Sequence, residues 1–169
     1  MAKEGRAFKG CLYFGLMLTP NGPKVIEYNC RFGDPETQVV LPLLETDFVD
    51  IIKAIHAGTL NQLDIQWKKG CVACVIMASG GYPKKYATGL PISGLNEKGQ
   101  LDSAFVYHAG TRYENGTFLT AGGRVLGVTV AGDTLQQALD GAYAAVEQIR
   151  FEGAHYRKDI GQRALACGK

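Results

Sequence analysis

The chain has 169 residues, of which 46% are hydrophobic and 20% are charged, and its formal net charge is +2 at pH 7. This length can bury a hydrophobic core and form one large or two small domains. The small net charge indicates neither a nucleic-acid partner nor a membrane partner, and no apolar run approaches the roughly 20 residues that span a bilayer. Because residues 1–6 lack the apolar centre of a secretory signal, we expect a cytoplasmic protein.

A β-hairpin is predicted at the start of the chain. Residues 10–19 are apolar and aromatic, Pro20-Asn21-Gly22-Pro23 is typical of a turn, and residues 24–32 are again strand-like. Gly33-Asp34-Pro35 ends this second strand, because proline cannot continue a central ladder and glycine tolerates positive φ.

The second strand of this hairpin carries polar side chains at every other position. Since strand side chains alternate between faces, Glu27, Asn29 and Arg31 share one face, with successive members roughly 6.5–7 Å apart. A carboxylate and an amide oxygen suit Mg²⁺ shared with nucleotide phosphates, and an arginine can bind a phosphate or a carboxylate with two hydrogen bonds. The pattern indicates a phosphoryl-transfer site; the alternative is a solvated strand face with a local ion pair.

A helix is predicted over residues 47–57, because Phe48, Ile51, Ile52 and Ile55 repeat with helical spacing. Thr46 is the expected N-cap, Asp47 and Asp50 favour the first turn, and Gly58 ends the helix.

The rest of the chain is predicted to alternate strands and turns before a second helix. The expected elements are an edge strand within 60–69, a strand at 71–78, short strands near 104–108 and 117–120, a strand at 124–131, and a helix over Leu135–Ile149.

The five cysteines lie at positions 11, 30, 71, 74 and 167, which is not a regular disulfide framework. Cys71 and Cys74 have the spacing of a redox or zinc pair. However, residues three apart on a strand point to opposite faces, and no second Cys/His pair completes a tetrahedral site. We expect free, reduced thiols.

The ten residues from Glu27 to Glu36, Glu-Tyr-Asn-Cys-Arg-Phe-Gly-Asp-Pro-Glu, resemble the terminal metal-binding strand of ATP-grasp ligases of the glycinamide ribonucleotide synthetase family. The resemblance continues, in the family's order, through the blocks at 9–13, 40–44, 78–83, 108–111, 122–128 and 151–161. It implies an α/β (α+β) fold class: residues 1–66 end an ATP-grasp catalytic sheet, and residues 67–169 form a small C-terminal domain of mixed sheet and helices.

The resemblance also implies an activity, the ATP-dependent ligation of glycine to 5-phosphoribosylamine through a glycyl phosphate. Glu27 and Asn29 match the family's Mg²⁺ (or Mn²⁺) ligands, and Arg31 matches the basic residue that steadies the transferred phosphoryl group. Asp34 and Glu36 are candidates for positioning the substrate amine or ribose hydroxyls, although Asp34 is equally typical of an Asx-turn.

Two further features of the C-terminal region have alternative interpretations. Gly122-Gly123-Arg124 is either a glycine turn that leads into a strand or a contact from Gly123 and Arg124 to the substrate phosphate. His108 is expected to be a hydrogen-bonded structural histidine, and Arg157 and Lys158 to be surface charges or members of ion pairs.

The residues before Glu27 make only one strand and a leader, so they cannot supply the lysines and glycine-rich flap that grip ATP in this family. We therefore expect a C-terminal portion of the synthetase whose turnover requires the upstream ATP-grasp and N-terminal domains of the same enzyme. Two other hypotheses remain: a different ATP-grasp enzyme of the carboxylase kind, and a non-catalytic binding module.

Overall fold

A computed structural model describes residues 1–167, in two units. Unit 1 contains Met1–Thr37 and Leu44–Lys68, and unit 2 contains Gln38–Leu43 and the chain from Lys69 onward. All strand pairings within the described residues are antiparallel and are combined with helices, which confirms the α/β (α+β) class. None of the helices in this part of the chain has the length and the apolar character of a membrane-spanning segment.

Eight strands and four α-helices are found in the described part of the chain. The strands are β1 (Tyr13–Thr19), β2 (Gly22–Asn29), β3 (Cys71–Ala78), β4 (Pro91–Ile92), β5 (Phe105–His108), β6 (Thr111–Glu114), β7 (Thr117–Thr120) and β8 (Arg124–Gly132). The helices are α1 (Thr37–Val40), α2 (Phe48–Ala57), α3 (Leu135–Val146) and α4 (Gln162–Cys167).

The predicted hairpin of unit 1 is present as the antiparallel pair β1 and β2. The connection is Pro20-Asn21, and the Thr19 hydroxyl fastens it by donating to the carbonyl oxygen of Gly22 at 2.7 Å. Strand β2 ends at Asn29, before the predicted end at residue 32. Both faces of the hairpin are largely exposed: the exposed fraction is 84% for Leu18 and 62% for Ile26.

Helix α2 forms where the apolar spacing predicts it, but the predicted N-cap is wrong. The carboxylate of Asp47 accepts a hydrogen bond from the backbone N–H of Val49 at 2.7 Å, so Asp47 is the N-cap. The hydroxyl of Thr46 instead accepts from the backbone N–H of Gln66 at 2.7 Å. Gly58 closes the helix in a left-handed conformation, as predicted.

The edge strand predicted within residues 60–69 is wrong. Leu60–Gln62 form a 3₁₀ turn, and the described residues there make a single bridge, between Leu44 and Trp67.

The main sheet of unit 2 has the order β3-β8-β5, so β8 lies in the middle. Strands β3 and β8 confirm the predicted strands at 71–78 and 124–131. Helix α3 packs on one face of β3 and β8, where alternate strand residues are buried. These buried strand residues are Ala73, Val75, Met77, Leu126 and Val128.

The outer edge of β5 is covered by a side chain. The Gln100 amide donates from Nε2 to the carbonyl oxygen of Val106 at 2.8 Å, and its Oε1 accepts from the Val106 N–H at 2.8 Å. Gln100 thus makes the pair of bonds that a neighbouring strand residue makes.

A second small sheet in unit 2 has the order β4-β7-β6. Strands β5 and β7 confirm the short strands predicted near 104–108 and 117–120, whereas β4 and β6 were not predicted.

Helix α3 begins with a capping box that was not predicted. The Thr134 hydroxyl accepts from the backbone N–H of Gln137, and the Gln137 side chain accepts in return from the backbone N–H of Thr134. The helix ends at Val146, before the predicted end at Ile149, but Ile149 is only 2% exposed and still packs in the core.

Two glycines with positive φ offer a matched test of unit 2. Gly94 has φ +93°, and a Cβ there would lie 2.0 Å from the carbonyl oxygen of Gln148, because the Ser93–Arg150 bridge draws the two segments together. Gly116 has φ +81° but has open space around it.

We expect Gly94→Ala to lower the free energy of unfolding by about 1–3 kcal/mol more than Gly116→Ala does. Both substitutions place alanine in a left-handed conformation, so the difference isolates the clash with Gln148. Urea denaturation of the two variants measures it, and equal losses would contradict the close approach.

Candidate active site

Strand β2 places Glu27 and Asn29 side by side. The Nδ2 amide of Asn29 donates to Oε1 of Glu27 at 2.9 Å, as the alternation of strand side chains predicts. Across the hairpin, Glu27 is paired with Gly15 and Asn29 is paired with Tyr13. The two polar groups therefore share one face, while Phe14 and Tyr28 stack edge-on with ring centroids 5.1 Å apart.

Gly15 leaves room for the Glu27 carboxylate. A Cβ at Gly15 would lie 3.0 Å from Cγ of Glu27, which is closer than ordinary van der Waals contact. The register also shifts between Gly15 and Leu16, where Gly15 pairs with Glu27 and Leu16 with Val25. Such an irregularity bends the strand locally and re-aims the side chains beside it.

Arg31 lies beyond the end of β2. Its guanidinium donates from Nη1 to the backbone carbonyl oxygen of Phe32 at 2.8 Å, and the side chain is exposed. The structure thus brings Glu27 and Asn29 into direct contact and leaves Arg31 turned toward its own backbone. The physical reason is that the ladder with β1 stops at Asn29, so strict alternation of faces does not extend to residue 31.

The acidic turn after β2 is tightly packed around Gly33, which is buried. A Cβ at Gly33 would lie 2.3 Å from Oε2 of Glu36 and 3.1 Å from Cζ of Tyr13. The chain then turns into α1, where the backbone N–H of Thr37 donates to the carbonyl oxygen of Gly33 at 3.1 Å. Asp34 is exposed within this turn, and Glu36 is half-buried.

Tyr13 is a member of this site that the sequence did not single out. Its hydrogen bond to the Glu36 carboxylate raises the pKa of the Tyr13 phenol, and burial and the negative charges of Glu36 and Glu27 add to the rise. Only the cross-strand register, which pairs Tyr13 with Asn29, reveals that this residue lies here.

The donor set on β2 fits a hard divalent cation. Glu27 and Asn29 supply a carboxylate and an amide oxygen on one accessible strand face, and these are the ligand types that Mg²⁺ takes alongside phosphate oxygens and water. Their mutual hydrogen bond holds both side chains in one place.

Gly122 and Gly123 form the turn that leads into β8. Ser79 holds this turn: its hydroxyl donates to the carbonyl oxygen of Gly122 at 2.8 Å, and its N–H donates to that of Gly123 at 2.8 Å. A Cβ at Gly123 would lie 2.2 Å from the Tyr82 ring and 3.1 Å from the Tyr86 ring, so only glycine fits beneath them. Arg124 follows as an exposed residue.

His108 is a hydrogen-bonded structural histidine, as predicted. Its Nδ1 lies 2.9 Å from Oγ1 of Thr111, and its Nε2 lies 2.8 Å from the carbonyl oxygen of Gly99. In the tail, Arg157 forms the expected ion pair, with Asp159 at 2.7 Å. The five cysteines are free thiols.

Two family models match the sequence. The model described as "Phosphoribosylglycinamide synthetase, ATP-grasp (A) domain" matches residues 1–37, which contain the hairpin and Gly33–Glu36. The model described as "Phosphoribosylglycinamide synthetase, C domain" matches residues 72–163, which is most of unit 2.

Curated relatives and a solved structure agree with these matches. A phosphoribosylamine–glycine ligase from Caldanaerobacter subterraneus is 52% identical over 160 residues, covering 95% of this chain and 38% of the relative. The human trifunctional purine biosynthetic protein adenosine-3 is 48% identical over 98% of this chain and 16% of its own length. The crystal structure of phosphoribosylamine–glycine ligase from Thermotoga maritima superposes with a TM-score of 0.80 at 35% identity, covering 94% of this chain and 38% of that one. The chain thus spans about two fifths of the bacterial ligases that it matches.

The contact between Tyr13 and Glu36 predicts that the pKa of the Tyr13 phenol changes when the Glu36 carboxylate is removed. Replacing Glu36→Gln removes the carboxylate that accepts from the phenol, so we expect the Tyr13 pKa to fall toward its ordinary value of 10.0. A ¹³C NMR titration of Cζ-labelled tyrosine measures this, with the Tyr13 signal assigned by Tyr13→Phe. Glu4→Gln, an exposed change elsewhere in unit 1, is the control. An unchanged Tyr13 pKa in Glu36→Gln would contradict the contact.

Proposed function

The chain belongs to the phosphoribosylglycinamide synthetase family, and we propose that it is part of a ligase that joins glycine to 5-phosphoribosylamine at the expense of ATP. The carbon–nitrogen bond formed is the amide of glycinamide ribonucleotide, and the other products are ADP and phosphate. The observation that carries this proposal is the contact between Glu27 and Asn29 on one face of β2, within the segment that matches the ATP-grasp domain.

The proposed reaction has two steps. In the first, a glycine carboxylate oxygen attacks the γ-phosphorus of ATP, the bond to the β-phosphate oxygen breaks, and ADP leaves. In the second, the amine of phosphoribosylamine attacks the carbonyl carbon of the glycyl phosphate. Inorganic phosphate leaves with the electrons of the carbon–oxygen bond, and the new amide nitrogen loses a proton. In both steps the reacting groups carry several negative charges close together. Catalysis therefore depends on positioning and on charge neutralisation.

Glu27 and Asn29 are proposed to hold Mg²⁺ or Mn²⁺ through a carboxylate and an amide oxygen. The ion, when bound, neutralises charge on the β- and γ-phosphates of ATP. The chain's own contribution is a fixed pair of ligands, because Gly15 leaves space for Glu27 and the bond from Asn29 orients it.

Arg31 is proposed to bind the transferred phosphoryl group or the oxygens of the glycyl phosphate. Its exposed guanidinium donates to the backbone carbonyl oxygen of Phe32, and an anionic ligand can take the place of that neutral acceptor. Asp34 and Glu36 are proposed to position the substrate amine or the ribose hydroxyls, with Tyr13 orienting Glu36.

Gly123 and Arg124 are proposed to contact the phosphate of phosphoribosylamine. The bonds from Ser79 fix the Gly122-Gly123 turn, and the exposed guanidinium of Arg124 follows it directly. An arginine beside a rigid turn is well suited to a phosphate, because its planar donors match the phosphate oxygens.

The enzyme is proposed to work in the cytoplasm, with residues 1–66 as the end of its catalytic domain and residues 67–169 as its C-terminal domain. The lysines and the flap that hold ATP would come from upstream ATP-grasp and N-terminal domains of the same enzyme.

A chimera tests the proposed activity. Residues 1–167 replace the matching segment of the Caldanaerobacter subterraneus relative, and ADP and glycinamide ribonucleotide are measured while each substrate is omitted in turn. We expect products only when ATP, glycine and phosphoribosylamine are all present. Glu27→Gln in the chimera should lower kcat roughly 100-fold or more, because a ligand for charge neutralisation is lost.

Glu4→Gln in the same chimera is the matched control and should leave kcat unchanged. ADP formation that needs bicarbonate in place of phosphoribosylamine would identify a carboxylase-like enzyme instead. The same assay on the 169-residue chain alone tests the requirement for upstream domains, and turnover there would contradict it.

Metal binding can be tested without turnover. We expect substoichiometric Mn²⁺ to broaden the NMR signals of residues around Glu27 and Asn29 in the 169-residue chain, because a paramagnetic ion relaxes nearby nuclei. Glu27→Gln should abolish the broadening, whereas Glu114→Gln, which breaks an ion pair with Arg112 in unit 2, should not. Broadening that persists in Glu27→Gln would place the metal elsewhere.

A further inference from the structure

Unit 2 contains an open groove of about 570 Å³ on the face of its main sheet that lies opposite α3. Phe105 and Tyr107 of β5 form one wall, and Leu41 and Pro42 form part of another. The volume lies within the roughly 300–1,000 Å³ typical of small-ligand sites. None of the residues proposed above to hold metal or substrate lines this groove.

A buried polar group lies in the lining of the groove. Thr129 of β8 is only 4% exposed. It is paired with Cys74 of β3 on one side and with Phe105 of β5 on the other. Its Oγ1 has no hydrogen-bond partner among the described residues. A buried hydroxyl without a partner destabilises the folded state, and valine would fill the same space without that cost. A ligand in the groove would supply the missing bond.

The lining also restricts the charge of a ligand. Asp102 is the one acidic side chain there, and the lining contains no lysine, arginine or histidine. An anionic ligand would therefore meet repulsion without a compensating cation. Burial raises the pKa of the Tyr107 phenol, with the nearby Cys74 thiol adding to the rise, so Tyr107 stays protonated at neutral pH.

The aromatic wall favours a flat ligand. The rings of Phe105 and Tyr107 have centroids 4.7 Å apart, and Phe105 is 56% exposed although it is apolar. Exposed aromatic faces bind planar heterocycles by stacking. Asp102 and Thr129 can accept hydrogen bonds from an amino group on such a ring.

We propose that this groove binds an uncharged planar nitrogen heterocycle that carries an amino group, such as an aminopurine base or nucleoside without a phosphate. The ring stacks on Phe105 and Tyr107, and hydrogen bonds to Thr129 and Asp102 fix its orientation. The lining offers no cationic side chain to a phosphate, so the proposed ligand is the base or nucleoside rather than the nucleotide.

Titration of 2-aminopurine riboside with the 169-residue chain tests the proposal, since stacking quenches the fluorescence of this probe. We expect saturable quenching, displaced by adenosine and displaced roughly tenfold less well by AMP, because the lining offers no cation to the AMP phosphate and carries the negative charge of Asp102. Thr129→Val should weaken binding about tenfold, which corresponds to one lost hydrogen bond, and should raise the Tm of the unliganded chain.

Two variants complete the test. Thr117→Val, at an exposed position of β7, is the matched control. It should leave binding unchanged and should not raise the Tm. Phe105→Ala removes a half-exposed ring and should weaken binding about tenfold, which provides a readout if Thr129→Val does not fold. The proposal would be overturned if millimolar probe gave no saturable quenching. It would also be overturned if both Thr129→Val and Phe105→Ala left the quenching unchanged.

Discussion

The structure of unit 2 depends on one strand that is buried on both faces. The side chains of four residues of β8 are at most 4% exposed, namely Val125, Leu126, Val128 and Thr129. The strand is paired along both edges. A strand in this position must be apolar on both faces and must have neighbours that satisfy its backbone. Strands β3 and β5 provide the hydrogen bonds, α3 covers one face, and the groove beside Thr129 lies on the other.

The hairpin of unit 1, in contrast, is exposed on both faces. It has two strands and no buried face, so packing does not determine where its side chains point. Close local contacts do so instead: Gly15 beside Glu27, Asn29 bonded to Glu27, and Gly33 beneath Tyr13 and Glu36. The proposed metal ligands are therefore fixed by glycines and by one side-chain hydrogen bond rather than by a core.

Much of this arrangement could be predicted from the sequence, because periodicity and turn residues act locally. The hairpin, α2, β3, β8 and most of α3 follow from such patterns. Strands β4 and β6 could not be found, since they are short and their pairing with β7 is decided by the fold. In the candidate site, alternation predicts that Glu27 and Asn29 lie together. It fails for Arg31, where the ladder has stopped, and Tyr13 requires a register between strands that one sequence does not reveal.

The two hydrogen bonds between the Gln100 side chain and the backbone of Val106 limit how copies of this chain can associate. An unpaired strand edge is a template on which another chain can add a strand, and repeated addition leads to fibrous aggregates. A side-chain amide that already occupies the donor and acceptor of Val106 blocks that addition at the centre of β5. Gln100 thus protects this strand edge against edge-to-edge assembly, although it places neither a charge nor a proline on the edge.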